Sequence, residues 1–257
     1  MTIWHGALVF GAAFLAGMIN SVAGGGTLVS FPALIWAGLS PVTANATSAV
    51  AIWPGALGGM WGFRRELRGS ETRFFSLVIP SLIGGVIGAA LLRYTPPGVF
   101  AKLVPFLILA ATILFMAQET VRRWMRKDEP AKPPIKADWT MTAMAFQLAV
   151  AIYGGYFGAG IGILMLAALG LMGLTDIHQM NGLKNFFALC INGVASAYFI
   201  FAGMAHWPYA IVMAAGAILG GYGSAGLARR LGPRAVRRFV IVVGLAMAIS
   251  LFLKNSR

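Results

Sequence analysis

Apolar stretches of membrane-spanning length recur along this chain from end to end, and they dictate what it can fold into. The runs at about 42–63, 72–94, 98–119, 177–203, 207–228 and 235–253 are each long enough for a helix across a hydrocarbon core about 30 Å thick. Two further regions, 4–38 and 139–173, are longer than one crossing needs. Glycine interrupts both: Gly24-Gly25-Gly26 in the first, Gly158-Ala159-Gly160-Ile161-Gly162 in the second. After each break only about a dozen apolar residues remain, too few for a full span. Both regions are expected to be broken, hairpin-like elements that turn within or near the membrane.

Composition agrees. Only 11% of the 257 residues are charged, against about 25% in a soluble domain. The 33 glycines fall largely inside apolar runs, as in Gly84-Gly85-Val86-Ile87-Gly88 and Gly216-Ala217-Ile218-Leu219-Gly220. Small residues four apart let helix backbones approach closely, so these pairs are expected to be packing devices. They would also allow a homodimer. Residues 1–23 end in the small-residue pattern Ser21-Val22-Ala23, but no Lys or Arg precedes the apolar run, so they read as mature structure. The single Cys190 reads as a small apolar helix residue, and nothing suggests a metal or cofactor.

The net charge of +13 does not indicate nucleic acid. Of the 20 Lys and Arg, 15 fall in three segments: Arg64–Arg73, the linker 120–138, and Arg229–Arg238. By the positive-inside rule these are expected to be cytoplasmic. The linker also holds Pro130, Pro133 and Pro134 and divides the chain into repeats at 1–119 and 139–257. The halves correspond in order: Gly38-Leu39-Ser40-Pro41 with Gly173-Leu174-Thr175-Asp176, and Asn45-Ala46 with Asn181-Gly182. The basic segments make helix 42–63 start outside and helix 177–203 start inside. The expected fold is therefore an all-α polytopic membrane protein of two inverted repeats. Each repeat has one Gly-broken hairpin-like element plus three transmembrane helices, and both termini are periplasmic. Transporters on this plan bind at the repeat interface near the midplane.

A helix that restarts after a glycine break, here near Thr27 and Ile163, presents partial positive charge and N–H donors, which suit an anion. The alternative is that Gly24, Gly25, Gly26, Gly158, Gly160 and Gly162 only permit tight turns and helix crossing. Asn20, Ser21, Thr27, Asn45, Thr47, Ser48, Asn185 and Asn192 add neutral donors, or else hydrogen-bond between helices. Asn20, Asn45, Thr47 and Ser48 with Asn185 are the expected polar lining. Lys184 lies about two turns inside a span and is either the direct attraction for the anion or a stem snorkelling to the interface. All seven acidic residues fall in loops or near span ends. No proton relay is evident, and an inside-negative potential alone favours anion exit by about 2.3 kcal/mol per charge per 100 mV.

The run Asn20–Leu28, then Phe31-Pro32-Ala33-Leu34, then Ala44-Asn45-Ala46-Thr47-Ser48 resembles the first half of the TauE/SafE sulfite exporter family. Gly155–Gly162 resembles the glycine-rich motif of that family's second half, where a small-Thr-Ser step is replaced here by Gly182-Leu183-Lys184-Asn185. The resemblance implies a bacterial inner-membrane carrier for sulfite, sulfonates or related sulfur oxyanions. Two other readings stand beside it: a carrier of another small anion, and a non-transporting membrane assembly subunit. An intramembrane enzyme is not expected, because the chain has no GxSxG, no HExxH and no paired intramembrane aspartates.

Overall fold

The computed structural model describes residues 2–22, 25–62, 72–125, 138–172, 174, 176–231 and 233–255. Gly24, most of the first basic loop and linker residues 126–137 lie outside the described residues. Among the described residues every regular element is helical. The order is α1 (Ile3–Val22), α2 (Thr27–Trp36), α3 (Pro41–Gly62), α4 (Thr72–Phe75), α5 (Val78–Tyr94), α6 (Pro97–Met125), α7 (Asp138–Tyr156), α8 (Ile161–Leu171), α9 (Ile177–Phe201), α10 (Trp207–Leu231) and α11 (Pro233–Asn255).

Ile3–Asn20, Pro97–Ala117 and Gln179–Phe201 are each long and apolar enough to cross a membrane, and shorter apolar helices accompany them. Exposed Ile83, Ile87 and Leu91 on α5 and Ile211 and Leu219 on α10 turn apolar side chains outward, as lipid requires and water does not. The two overlong regions are each split where glycine interrupts them, into α1–α2 and α7–α8. The second pieces, with 10 and 11 residues, reach only about 15 Å at 1.5 Å per residue.

Glycine sets the closest helix contacts. A Cβ on Gly220 would strike the Phe14 carbonyl of α1, and one on Gly216 would meet the Phe10 carbonyl at 2.6 Å. A Cβ on Gly88 would strike the Ile152 carbonyl of α7, and one on Gly84 would meet Ala151 at 2.5 Å. Both glycine pairs therefore pack helices within one chain. Phe10 faces Gly216 and Phe14 faces Gly220, so α1 and α10 run in the same direction. On α5 and α7, Gln147 donates to the Ser81 hydroxyl at 2.8 Å, and Gly88 faces Tyr156, so these two are also parallel.

The packing is reciprocal. The first helix of each half packs on the helix that follows the central crossing helix in the other: α1 on α10, and α7 on α5. The helices α3 and α9 cross at the centre. Trp53 donates its indole N–H to the Leu189 carbonyl at 3.1 Å, while the His206 amide, just beyond α9, donates to Thr47 Oγ1 at 2.9 Å. As α3 advances from 47 to 53, α9 recedes toward 189, so the two are antiparallel.

The broken elements double back. A Cβ on Gly26 would strike the Ala16 carbonyl, so the chain folds alongside α1 after the break. It emerges at Ala37, whose carbonyl accepts from the Tyr209 hydroxyl at the start of α10 at 3.4 Å. That level of the bundle is where α1 begins. α2 stops at Gly38, whose φ of +93° suits a residue without Cβ. The amides of Gly38 and Leu39 then cap the Ile35 and Leu34 carbonyls at 3.1 Å each. In the other half, Met172 and Leu174 beyond α8 share a buried cluster with Ala143 of α7 and Phe74 of α4. Gly162 at the start of α8 packs on the stem of Lys184, about two turns inside α9, so α8 runs back from there toward the start of α9.

Candidate functional site

Each break is held by a side chain of its own half. The Gly26 amide donates to Asn20 Oδ1 at 2.8 Å, which ties the start of α2 back to α1. The Tyr153 hydroxyl donates to the Ala159 carbonyl at 2.7 Å, and Gly158 turns with φ +78°. Helix α6 backs both breaks. A Cβ on Gly25 would meet the Phe115 ring at 3.0 Å, and one on Gly160 would lie 3.6 Å from Ala111.

The two breaks open onto one cavity of ≈ 80 Å³ in the middle of the bundle. A buried water needs about 10–15 Å³ on this measure, so several waters or one small polyatomic ion fit. Gly25 and Thr27 enter from the first break, and Gly158, Ile161 and Gly162 from the second. Asn20 and the α9 residues Lys184, Asn185 and Asn192 add the polar groups; Ile52, Trp53 and Ala188 supply apolar wall.

Lys184 is 4% exposed. Its Nζ donates to Asn181 Oδ1 at 3.2 Å, and its stem crosses Gly162, where an added Cβ would come within 3.3 Å of Cδ. The side chain thus lies at the start of α8 and faces the cavity. Moving an ammonium out of water is costly unless paired or solvated. Here it bonds an asparagine and lines the cavity. The positive ends of two half-length helices and one buried cation converge on one space, an arrangement that attracts and orients an anion.

Of the residues expected from the sequence, the cavity brings together Asn20, Gly25, Thr27, Gly158, Gly162, Lys184 and Asn185. Gly26 and Gly160 sit at the breaks but do not line it. Asn45 lines a neighbouring chamber and donates to the Tyr156 carbonyl at 2.9 Å. Thr47 is buried against the His206 amide, and Ser48 hydrogen-bonds the Ser30 hydroxyl at 2.6 Å. Gly24 and the Ser21 side chain lie outside the described residues. Trp53 and Asn192 join the cavity wall beyond the expected polar lining. Their signals are in the sequence: Trp53 is an indole placed mid-span, away from the interfacial belts. Asn192 lies four and eight residues from Ala188 and Lys184, on one helix face.

A bundle that is helical throughout its described residues, with apolar outer faces, defines a multi-pass membrane protein. The chain belongs to the TauE/SafE sulfite exporter family, whose model matches residues 9–251, and it is a membrane transporter of that family. It is 28% identical to a probable membrane transporter protein of Haemophilus influenzae over 244 residues, covering 94% of this chain and 92% of the relative. It is 26% identical to a probable membrane transporter protein ORF9 of a Sinorhizobium species, covering 95% and 91%. It is also 26% identical to the probable membrane transporter protein YfcA of Escherichia coli K12, covering 95% and 88%.

Proposed function

We propose that the chain exports a small sulfur oxyanion, sulfite or an organosulfonate, through the cavity between the starts of α2 and α8. The observation that carries this reading is Lys184, buried in the same cavity that both glycine breaks line. The sulfur comes from the family's description as sulfite exporters; the anion preference comes from the cavity. Neutral donors and one cation hold a monoanion or dianion without making it too tight to release. Asn20, Thr27, Lys184, Asn185 and Asn192 are the proposed ligands, with Gly25, Gly158 and Gly162 allowing close approach of the oxyanion to backbone.

The proposed frame is an inverted repeat, residues 1–119 against 139–257, joined by a basic linker. It is supported by the antiparallel crossing of α3 and α9, by the reciprocal packing of α1 on α10 and α7 on α5, and by two elements that double back at their breaks. The proposed setting is a bacterial inner membrane. Segments 64–73, 120–138 and 229–238 face the cytoplasm and both termini face the periplasm, since Lys and Arg concentrate on the cytoplasmic side. An inside-negative potential then drives the anion outward.

Thermal unfolding in detergent tests binding. Sulfite at a hundredfold its Kd stabilises by about 2.7 kcal/mol. The wild type is expected to melt higher with sulfite than with equal chloride, and Lys184→Ala to lose that difference. The same melting point in sulfite and chloride for the wild type would remove sulfite as the ligand.

A further inference from the structure

A second chamber, of ≈ 10 Å³, lies beside the main cavity. Thr27, Ile52, Gly158 and Asn192 line both. The two are stacked along the crossing helices. On α3 the small chamber uses Asn45, Ala49 and Ile52, and the large one continues through Trp53 to Ala56. On antiparallel α9 the small chamber uses Phe199, Ala195 and Asn192, and the large one runs on to Lys184. From Asn45 to Ala56 is about 16 Å of helix at 1.5 Å per residue, about half of a hydrocarbon core.

The chambers are also counterparts. Asn45 and Asn181 occupy matching places in the two halves, and the same offset carries Ala49 to Asn185, Ile52 to Ala188 and Ala56 to Asn192. Asn185 and Ala188 line the large cavity as Ala49 and Ile52 line the small one. Matching positions of α3 and α9 thus line two spaces, one of ≈ 80 Å³ and one of ≈ 10 Å³. The smaller one is filled by Phe157 and Phe199, which are 4% and 1% exposed, with Phe31 edge-on to Phe157 at 5.6 Å. It is fastened by the Asn45 amide on the Tyr156 carbonyl, which joins the start of α3 to the second break.

We infer that the Asn45–Tyr156 bond is a latch that shuts the path at the Phe157/Phe199 end, and that releasing it opens the small chamber to the opposite side of the membrane. The inference rests on the proposed route through the cavity. Two packings of one sequence related by the repeat give the bistable element that alternating access needs. Closing one chamber as the other opens would keep the path from being continuous.

Thiol accessibility tests the latch without reference to the anion. In a Cys190→Ala background, Ala188→Cys marks the large cavity and Ala49→Cys the small chamber. Each is labelled in right-side-out and inside-out vesicles with a membrane-impermeant methanethiosulfonate. Ala188→Cys is expected to react from one face only and Ala49→Cys slowly from both. Adding Asn45→Ala is expected to speed Ala49→Cys labelling about tenfold, the population shift of one lost hydrogen bond, and from the face opposite to that reaching Ala188→Cys. Phe199→Ala, which shortens the plug and leaves the latch intact, is expected to act in the same direction and carries the test if Asn45→Ala does not accumulate. Labelling of Ala49→Cys that stays slow in both variants, or that rises on the Ala188→Cys face, overturns the latch. Lost sulfite flux in Lys184→Ala bears on the anion route and leaves this result unaffected.

Discussion

The indole N–H of Trp53 donates to the carbonyl of Leu189, 3.1 Å away, at the point where α3 and α9 cross. With Asn45 matched to Asn181, Trp53 and Leu189 are matching positions of the two halves. The bond therefore lies at the pivot of the reciprocal packing. A Cβ on Gly193 would press on the same indole at 3.0 Å from Nε1, so the ring lies close against α9 one turn beyond its bond.

Replacing Trp53 by Phe removes the donor and keeps most of the ring. A net loss of about 1 kcal/mol is expected, read as a lower melting temperature in detergent. Gly193→Val is expected to cost more than Trp53→Phe, because it displaces the whole indole. The reverse ranking would show that the crossing is held by the hydrogen bond and not by packing.

Close helix contacts give a second ranking. Gly220→Val drives a side chain into the Phe14 backbone of α1, whereas a Cβ on Gly11 meets nothing within 4 Å. Gly220→Val is expected to destabilise by at least about 1–3 kcal/mol, the range for overpacking. Gly11→Ala is expected to leave stability unchanged or slightly raised. Melting curves of the two purified proteins decide it.

Lys184 separates function from stability. Its ammonium is nearly fully buried beside Asn181 and the cavity. Exchanging the lysine for methionine removes the charge and the hydrogen bond to Asn181 and keeps most of the packing of the stem. Lys184→Met is expected to lower the melting temperature only by the cost of a lost hydrogen bond, about 1 kcal/mol, while anion flux falls at least about tenfold, the effect of losing one charge-assisted contact. A Lys184→Met protein that melts much lower and transports as before would make the lysine a structural residue.

Asn20 accepts the Gly26 amide and also lines the cavity. Asn20→Ala leaves an amide at the start of α2 without its acceptor, at an expected cost of about 1–3 kcal/mol. Because that amide is part of the proposed anion cradle, sulfite-dependent stabilisation is expected to shrink as well. Equal sulfite shifts in Asn20→Ala and wild type would take Asn20 out of the site.

Much of this fold was legible in the sequence because lipid imposes simple rules. Five expected spans fall within a few residues of α3, α4–α5, α9, α10 and α11. Apolar run length is the physical determinant there. The span at 98–119 runs on to Met125 in α6, past the point where Glu119, Arg122 and Arg123 end the apolar run. Hydropathy marks the membrane and not the end of the helix. The site was less legible, because closeness in sequence is not closeness on a helix. Asn45, Ala49, Ile52 and Ala56 follow the spacing of one helix face and reach the two chambers. Thr47 is two positions on from Asn45, so the helical turn directs it away to His206, and Ser48, at the edge of that face, is taken up by the Ser30 hydroxyl. Trp53 carries no charge to single it out, although a mid-span indole needs an acceptor and here finds Leu189.

Efflux of radiolabelled sulfite from proteoliposomes is the most direct test that the cavity shared by both glycine breaks and Lys184 is the route of the anion. Wild type, Lys184→Ala and Gly25→Leu are compared, the last forcing a side chain onto Phe115 at a φ of +96°. Saturable wild-type flux, competed by a small sulfonate and lost in both folded variants, is the expected result. Undiminished flux in both variants, or wild-type flux no greater than that of empty liposomes under either sign of membrane potential, would contradict it.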